Sequence, residues 1–367
     1  MENKDKVFMF RDSVRIWDNG SEEIRIRMGV FNFEEVSLDM STVSETTADY
    51  LKVVINQLQT EEGYDLSSLD QEILEPYEKE IIETIVNELH ETNYLVTPQE
   101  NSIGKELTLS LLGYLEQDEL ESEEDAEKKK IIFYSDDEYA VKSAQNLASD
   151  IKMSIDVLPE KDMQEIKETD LTSNLDGLST VQMLNKFGEK FKAYDAIVMC
   201  VKNLNIVNMR NINRISVEFK IPVIYTFIDG PVIGALATNP YYTGCLECFE
   251  LRTLARLEDH VSYHNFVKIE RKTKKYRNKT NIGQIPLLNM LVNIAVSEAY
   301  TFKRIGVSKF TGRLLTIYMP TTEIQVQDLL RVPYCPACGA IAKAALEEKN
   351  VSSRALVDEM VKNALIM

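Results

Sequence analysis

The sequence predicts an α/β protein in two parts, the second of them stabilised by a metal. In residues 1–98 strand-like runs precede helix-like runs, and from residue 130 onwards strands alternate with helices. Four of the five cysteines form two Cys-x-x-Cys pairs. Because 367 residues are many for one hydrophobic core, two domains are expected, 1–98 and 130–367, joined by an acidic linker over 99–129.

Three strands followed by three helices are predicted for residues 1–98. Alternating runs in "SVRIWDNGSEEIRIRMG" flank Asn19-Gly20, a strong hairpin signal, and a third run, "VFNFEEVSL", follows Gly29. Helical periods occur in "SETTADYLKVVINQLQ", "DLSSLDQEIL" and "PYEKEIIETIVNELHETNYLV", the last with Pro76 in its first turn. This order is typical of a small winged-helix-like module.

The predicted linker contains a short helical pattern, "KELTLSLLGYLEQ", and then the acidic run "LEQDELESEEDAEKKK". A run of like charges is usually solvated, and that is the interpretation adopted here.

From residue 130 the pattern indicates a mainly parallel sheet. Strands are predicted in "KKKIIFYSDD", "KMSIDVLPE" and "YDAIVMCVKN", helices in "EYAVKSAQNLASDI" and "IVNMRNINRISVEF". The run "IPVIYTFIDGPVIGALATNP" predicts two strands joined at Gly230-Pro231, and "GRLLTIYMP" with "TEIQVQDLLRV" a terminal strand pair. Between them, "PLLNMLVNIAVSEAYTFKRI" predicts a long apolar helix suited to a core or a subunit interface.

The paired cysteines predict a structural zinc site. A two-residue gap lets two sulfurs reach one ion, and two such pairs complete a closed tetrahedral thiolate site that has no open position for chemistry. The expected ligands are Cys245, Cys248, Cys335 and Cys338. The alternative, a redox centre, fits two distant pairs less well than one pair at a helix start. The fifth cysteine, Cys200, is expected to pack in the core.

Charge and composition exclude several classes of function. The formal net charge of -18 disfavours nucleic acid as a partner. The sequence has no apolar run of eighteen residues and no signal-peptide pattern at its start, so a membrane partner is not expected and the cytoplasm is the expected location.

Three segments in order, "YDAIVMCVKN", "KIPVIYTFIDGPVIGALATNPYYTGCLECFELR" and "PYCPACG", resemble the adenylating domain of the ThiF and MoeB superfamily of ubiquitin-activating-type enzymes over roughly 130–340. The resemblance implies a Rossmann-like fold. The family's glycine-rich phosphate turn is replaced by "YSDDEYAVKS", which puts Asp136, Asp137 and Glu138 where phosphate would lie. The family's magnesium-binding aspartate falls on Lys202, and its arginine falls near Val207. We therefore expect a degenerate nucleotide site and no ATP bound by this chain.

Together with the amino-terminal module, this domain resembles the ThiF-like partner proteins of azoline-forming cyclodehydratases, which serve thiazole/oxazole-modified microcins and streptolysin S-like cytolysins. The ending "GRLLTIYMPTTEIQVQDLLRVPYCPACG" is similar to theirs. The resemblance implies a precursor-peptide recognition element in residues 1–98, which binds the leader of a ribosomally made peptide. It implies a YcaO-type cyclodehydratase subunit as partner, a flavin-dependent azoline dehydrogenase as a further one, and a homodimer.

The leader peptide is expected to add a fourth strand to the run from Val30 to Val36, with the helix from Pro76 to about Tyr94 as the wall of the groove. The candidate residues are Arg25, Arg27, Val30, Phe31, Asn32, Phe33, Glu34, Tyr77, Ile81 and Ile85. Solvated charge is the alternative for the two arginines, and core packing is the alternative for Phe31, Phe33, Ile81, Ile85 and Leu89. The alternative function is an enzyme that adenylates a peptide or protein carboxyl terminus.

Overall fold

The structure is a computed structural model. It describes residues 7–97 (apart from 21, 32 and 73), 103–112, 123–169, 171–172, 177–272 and 280–339. The chain divides into two compact units, 1–107 and 108–367.

The first unit contains two small antiparallel sheets and two α-helices in its described residues. The strands are β1 (Val7–Phe10), β2 (Val14–Asp18), β3 (Glu23–Met28), β4 (Glu34–Asp39), β5 (Tyr64–Asp65) and β6 (Leu95–Val96), and the helices are α1 (Glu45–Leu58) and α2 (Pro76–Glu91). One sheet has the order β2-β3-β4 and the other β5-β1-β6. Apolar side chains from both sheets and both helices, including Phe8, Ile26, Leu51 and Ile82, form one core.

Two predictions for this unit need correction, and one sheet was not predicted. The third strand begins at Glu34 instead of Val30. Gly29 (φ 89°) turns the chain directly after β3, and the first residue beyond the turn that pairs with β3 is Glu34, opposite Met28. The segment "DLSSLDQEIL" forms a 3-10 helix, Leu66–Gln71. The second sheet was not predicted, since two of its strands have only two residues each.

Helices α1 and α2 meet through a buried glutamate. Glu78 is 5% exposed and completes a capping box at the start of α2 with Glu75. Its Oε1 also accepts hydrogen bonds from Ser44 Oγ (2.5 Å) and Thr47 Oγ1 (2.9 Å) at the start of α1. One carboxylate thereby fixes the two helix starts to each other.

From residue 103 the chain forms nine α-helices and seven strands in its described residues. The helices are α3 (Ile103–Leu112), α4 (Glu123–Lys128), α5 (Glu138–Asp150), α6 (Glu160–Glu168), α7 (Gly177–Phe191), α8 (Ile206–Phe219), α9 (Leu246–Leu254), α10 (His260–Lys272) and α11 (Ile285–Ile305). The strands are β7 (Ile131–Ser135), β8 (Asp156–Val157), β9 (Ala196–Val201), β10 (Val223–Asp229), β11 (Val232–Thr238), β12 (Arg313–Tyr318) and β13 (Glu323–Asp328).

The seven strands form one sheet in the order β13-β12-β11-β10-β9-β7-β8. The pairs among β7, β8, β9 and β10 are parallel, and β11, β12 and β13 continue the sheet antiparallel. The predicted strand pairs around Gly230-Pro231 and at the end of the chain are confirmed. The sheet is thus parallel only in its first half.

The sequence analysis did not predict four helices of this unit, α6, α7, α9 and α10, and "KMSIDVLPE" contributes only the two-residue strand β8. Helices α3 and α4 lie inside the stretch that was expected to be a linker, and α4 lies within its acidic run.

Helix α11 is the predicted long apolar helix. With the turn before it, Ile282–Ile305 is long and apolar enough to cross a membrane by length and composition. Just over half of its apolar eighteen-residue window is buried within the fold, where α11 packs against β9, β10 and α5. Its Glu298 is buried and accepts hydrogen bonds from Ser308 Oγ (2.6 Å) and Lys309 N (2.7 Å). An apolar helix that packs on a sheet can have the same length and composition as a membrane-spanning helix, and α11 packs on the sheet in this way.

Candidate functional sites

The four paired cysteines come together in one buried cluster. Cys245 precedes the first residue of α9 and Cys248 lies in its first turn, whereas Cys335 and Cys338 lie in a turn after β13. Their sulfur atoms all lie within 4.8 Å of one another. The distance is 3.8 Å from Cys245 to Cys248, 3.6 Å from Cys245 to Cys335 and 3.4 Å from Cys248 to Cys338.

This geometry fits a tetrahedral zinc ion. With Zn–S bonds of about 2.3 Å, ideal tetrahedral sulfurs lie about 3.8 Å apart. The donor set is all thiolate, the set that structural zinc prefers. The four cysteines can therefore hold a metal ion such as zinc.

Groups around the cluster support its sulfurs and shape its turns. Cys248 Sγ accepts a hydrogen bond from Val332 N (3.3 Å), and Cys245 Sγ accepts one from Asn213 Nδ2 (3.5 Å). At Gly339 a side chain is excluded, because a Cβ atom would lie 2.5 Å from the carbonyl oxygens of Pro333 and Cys335. The second turn can close only with glycine there.

Helix α8 ties the two cysteine turns together. Arg214 donates to the buried Glu247, between the first two cysteines, at 2.7 and 2.8 Å. The same guanidinium donates to the carbonyl oxygen of Pro336, between the second two, at 2.9 Å. Such contacts orient ligand-bearing turns around a metal.

A second polar cluster lies at the carboxyl ends of β7 and β9, which are neighbours in the sheet. Asp136 accepts hydrogen bonds from the backbone N–H groups of Lys202 (2.6 Å) and Asn203 (3.0 Å). Asp137 forms a buried ion pair with Lys202, with Nζ 2.7 Å from Oδ2 and side chains 0% and 6% exposed. We call Asp136, Asp137 and Lys202 the strand-end cluster.

Asp137 also occupies the amino terminus of α5. Its Oδ1 accepts hydrogen bonds from the backbone N–H groups of Tyr139 (3.0 Å) and Ala140 (3.4 Å), and from Thr280 Oγ1 (2.8 Å). A helix amino terminus after a parallel strand is where such folds bind phosphate. Here the chain's own carboxylate takes those donors.

The two aspartates have opposite pKa shifts. Burial raises the pKa of Asp136 above its ordinary value, although backbone N–H groups oppose the effect. Burial also acts to raise the pKa of Asp137, but the hydrogen bonds from Lys202 and Thr280 and the charge of Lys202 outweigh it and lower that pKa. Glu138, the third predicted carboxylate, is exposed. The expectation that three free carboxylates would face a phosphate is thus wrong for Asp137, which is already paired.

Cys200 and Val207 lie in the core as buried residues. Burial raises the pKa of the Cys200 thiol to about 12, so it is neutral and packs as an apolar side chain.

In the first unit, the predicted leader-binding residues separate into three groups. Val30, Phe31 and Phe33 precede β4 and are exposed, Phe31 completely, so core packing is wrong for Phe31 and Phe33. Tyr77 is exposed on α2, whereas Ile81 and Ile85 are partly buried. Asn32 lies outside the described residues, and Glu34 is the first residue of β4.

Arg25 and Arg27 share the solvent face of β3, as predicted, but they are not simply solvated. Both pair with Glu35 on β4, at 3.1 and 2.5 Å. The Arg27 guanidinium also lies 3.9 Å from the ring centre of Phe33 and 5.3 Å from that of Trp17. Trp17 and Glu35 are the residues that sequence reasoning missed; their alternation with Arg25 and Arg27 on neighbouring strands was the available signal.

The hydrogen-bond register identifies the groups on the outer edge of β4. Met40 N donates a hydrogen bond to Glu22 O, so Met40 and Glu22 are a hydrogen-bonded pair. In an antiparallel ladder such pairs alternate with non-hydrogen-bonded ones, so the backbone N–H and C=O groups of Val36 also point towards β3. The backbone N–H groups of Glu35 and Ser37 therefore point away from β3. Among the described residues β4 has no strand on that side.

The comparisons with known proteins show a likeness of fold. No family model and no curated protein sequence matches the chain significantly. A heterocyclase solved in complex with substrate and cofactor superposes with a TM-score of 0.58 at 14% identity, covering 91% of this chain and 39% of that protein. The heterocyclase TruD gives 0.57 at 14% identity, covering 91% and 43%.

A third structure, that of E. coli MccB, covers 91% of this chain and 97% of that protein at 14% identity, but its TM-score of 0.47 is too low to carry an argument. The chain spans about two fifths of the length of the two heterocyclases. Almost all of its fold therefore resembles part of a heterocyclase.

Proposed function

We propose that this chain is a leader-binding, non-catalytic partner subunit of an azoline-forming cyclodehydratase. In this proposal the first unit is a winged-helix-like element that binds the leader of a precursor peptide, and the second is a ThiF-like domain held by a four-cysteine zinc site. A YcaO-type subunit uses ATP to convert Cys, Ser or Thr residues of the peptide into thiazolines or oxazolines. The proposal also includes a flavin-dependent azoline dehydrogenase as a further partner and a homodimer of this chain.

One observation carries the proposal: a single superposition onto a heterocyclase covers 91% of this chain but only 39% of the heterocyclase. The other three fifths of that heterocyclase lies outside the superposition. In this proposal the ATP-dependent chemistry belongs to the YcaO-type subunit.

The strand-end cluster supports a role without catalysis. Lys202 and Asp137 neutralise each other where a nucleotide and its metal would lie, and Asp137 takes the N–H groups of α5 that would hold phosphate. A bound phosphate would have to displace a buried ion pair, which is costly.

Leader binding by strand addition would use the outer edge of β4. The outward N–H groups of Glu35 and Ser37 are available for a ladder, and the exposed Phe31, Phe33 and Tyr77 are available for side-chain contacts. This register makes the backbone N–H groups of Glu35 and Ser37 the critical ones for strand addition.

The test is binding of a labelled leader to the full chain, measured by fluorescence polarisation. We expect a dissociation constant of about 1 μM or lower, roughly -8 kcal/mol. Ser37→Pro removes an outward N–H and should weaken binding at least about tenfold, a loss of about 1.4 kcal/mol. Ser37→Ala keeps that N–H and is the matched control, with binding expected to stay within about twofold.

Circular dichroism checks that both variants are folded. If folded Ser37→Pro and Ser37→Ala bind the leader equally well, strand addition at this edge is contradicted. A second measurement tests whether this chain presents the peptide to the YcaO-type subunit. After that subunit is added, mass spectrometry monitors the loss of water from the peptide. The alternative, an adenylating enzyme, predicts exchange of pyrophosphate into ATP by this chain and peptide alone.

A further inference from the structure

Large side chains are exposed on the surface beside the second cysteine turn. Tyr241 and Tyr242 are 37% and 86% exposed, and Leu330 and Tyr334 are 62% and 70% exposed. They lie on two chain segments that a hydrogen bond from Arg331 Nη1 to Tyr241 O (3.1 Å) joins. We call Tyr241, Tyr242, Leu330 and Tyr334 the tyrosine patch. Exposed aromatic and aliphatic side chains grouped in this way are typical of a surface with a partner.

The backbone of Tyr241 is held in a conformation that tyrosine seldom adopts. Its φ angle is 71°, in the left-handed region. The turn around it is fixed by hydrogen bonds: Tyr242 N and Thr243 N donate to Asn239 O (3.1 and 3.0 Å), and Asn239 N donates to Thr243 Oγ1 (2.9 Å). Strained residues of this kind persist only where their neighbours hold them, and they cluster at binding sites. The two tyrosines are therefore held in place before a partner binds, which lowers the entropic cost of binding.

Three cations, Lys220, Arg252 and Arg331, border the tyrosine patch. Lys220 Nζ lies 6.0 Å from the ring centre of Tyr241. Arg252 Nε donates to Leu330 O (2.7 Å), on the segment that also carries Arg331. Within the part of the chain that the structure describes, the contacts of these cations are with carbonyl oxygens and an aromatic ring, and none of them is an ion pair. All three side chains are exposed, so their charges are available to a partner.

The charge of this surface indicates what the partner carries. In a chain with a formal net charge of -18, cations grouped without carboxylate partners favour an anionic partner. Glu218 also lies near Tyr241, but the three cations outnumber it. Guanidinium groups bind carboxylates through paired hydrogen bonds, and tyrosine and arginine carry much of the binding energy of protein interfaces. A peptide segment with both carboxylates and apolar side chains fits this chemistry.

A second copy of the chain is a poor partner for the same surface. In an isologous dimer the tyrosine patch would meet itself across a two-fold axis, so the cations of one copy would face those of the other. Like charges brought together at an interface cost free energy.

We infer that the tyrosine patch binds an acidic segment of a partner protein. The apolar side chains of that segment pack on the tyrosines, and its carboxylates pair with Lys220, Arg252 and Arg331. This inference does not depend on the proposed function, because the leader-binding edge of β4 belongs to the first unit and the tyrosine patch to the second.

The test is fluorescence polarisation of a labelled synthetic peptide that alternates glutamate and leucine, titrated with the full, zinc-loaded chain. We expect this peptide to bind at least about tenfold more tightly than the same peptide with glutamine in place of glutamate, because only carboxylates can pair with the cations. Lys220→Glu and Tyr242→Ala should each weaken its binding at least about fivefold. Lys142→Glu is the matched control for Lys220→Glu: it makes the same change of charge at an exposed position on α5, and it should weaken binding less than about twofold.

Each of four results would overturn the inference. The first is equal binding of the glutamate and glutamine peptides, and the second is equal weakening by Lys220→Glu and Lys142→Glu, which would leave only the net charge as the cause. The third is binding of phosphatidylserine vesicles that Tyr242→Ala abolishes while the peptide does not bind, which would assign the patch to a lipid surface. The fourth is a dimer in sedimentation that Tyr242→Ala converts to monomer, which would assign it to a second copy. Tyr242 and Lys220 are exposed, so the variants are expected to fold, and circular dichroism with zinc content provides the check.

Discussion

The two polar clusters of the second unit differ in what they require from outside the chain. In the cysteine cluster four thiols lie within 4.8 Å of one another, and as thiolates they would place four negative charges in a buried space. A divalent cation is the natural counter-charge. In the strand-end cluster the carboxylates already have a lysine, backbone N–H groups and Thr280 as partners.

This difference teaches that buried acidic groups in one unit can be neutralised in two ways, by a cation from outside or by groups of the chain itself. With its thiols deprotonated the cysteine cluster would require a cation, so we expect metal binding and folding to be coupled. The carboxylates of the strand-end cluster are neutralised within the chain by Lys202 and by hydrogen bonds, so their burial requires no external ion. Substitutions in the cysteine cluster should therefore change both metal content and the free energy of unfolding, whereas substitutions in the strand-end cluster should change only the free energy of unfolding.

The largest effect is expected for the cysteine cluster. Cys245→Ser or Cys335→Ser should abolish stoichiometric metal binding and cost at least about 5 kcal/mol of unfolding free energy, at the upper end for single substitutions. Cys200→Ala is the matched control, since it removes the fifth cysteine, which lies outside the cluster, and should leave the metal content unchanged. Elemental analysis and denaturant unfolding measure both quantities. Fresh, reduced protein without metal would contradict the assignment.

The next effect concerns the buried ion pair. Lys202→Met leaves Asp137 as an unpaired buried charge and should cost about 3–5 kcal/mol. The double variant Lys202→Met with Asp137→Asn should regain part of this loss, because asparagine can still cap α5 without a charge. As a control, Lys186→Met breaks the exposed pair with Glu165 and should cost only about 0–1 kcal/mol.

Equal unfolding free energies for Lys202→Met and Lys186→Met would show that the strand-end pair has no special role. A metal content that falls in Lys202→Met would show that the two clusters are coupled, contrary to the comparison drawn here.

The cysteine cluster was predictable because it depends on residue type and local spacing alone. The strand-end pair was not, because Asp137 and Lys202 are distant in sequence and meet only because β9 lies beside β7, with β8 on the other side. Strand order of this kind is set by tertiary packing, and no local pattern encodes it.

Missed and misplaced elements have similar physical causes. Helix α7 contains Gly188, which disfavours a helix prediction, yet a Cβ atom there would lie 2.0 Å from the ring of Phe219 on α8. Close helix packing requires the glycine. The alternation of Phe31 and Phe33 was interpreted as a strand, but both side chains are exposed before β4 begins. Long elements with clear periods, such as α2 and α11, were predicted correctly.

The smallest effect, and the most specific test of the strand-end cluster, is its pH dependence. The pKa of Asp137 is lowered in the folded state, so its contribution to stability is present above the unfolded value of about 3.9 and is lost as pH falls through the folded pKa. Asp137→Asn should therefore flatten the acid limb of the unfolding free energy below about pH 4. The pKa of Asp136 is raised, so its penalty is relieved as pH falls, and Asp136→Asn should steepen the same limb. Urea unfolding at a series of pH values measures both slopes. The assignment of the ion pair to Asp137 would be refuted if Asp137→Asn and Asp136→Asn changed the slope in the same direction.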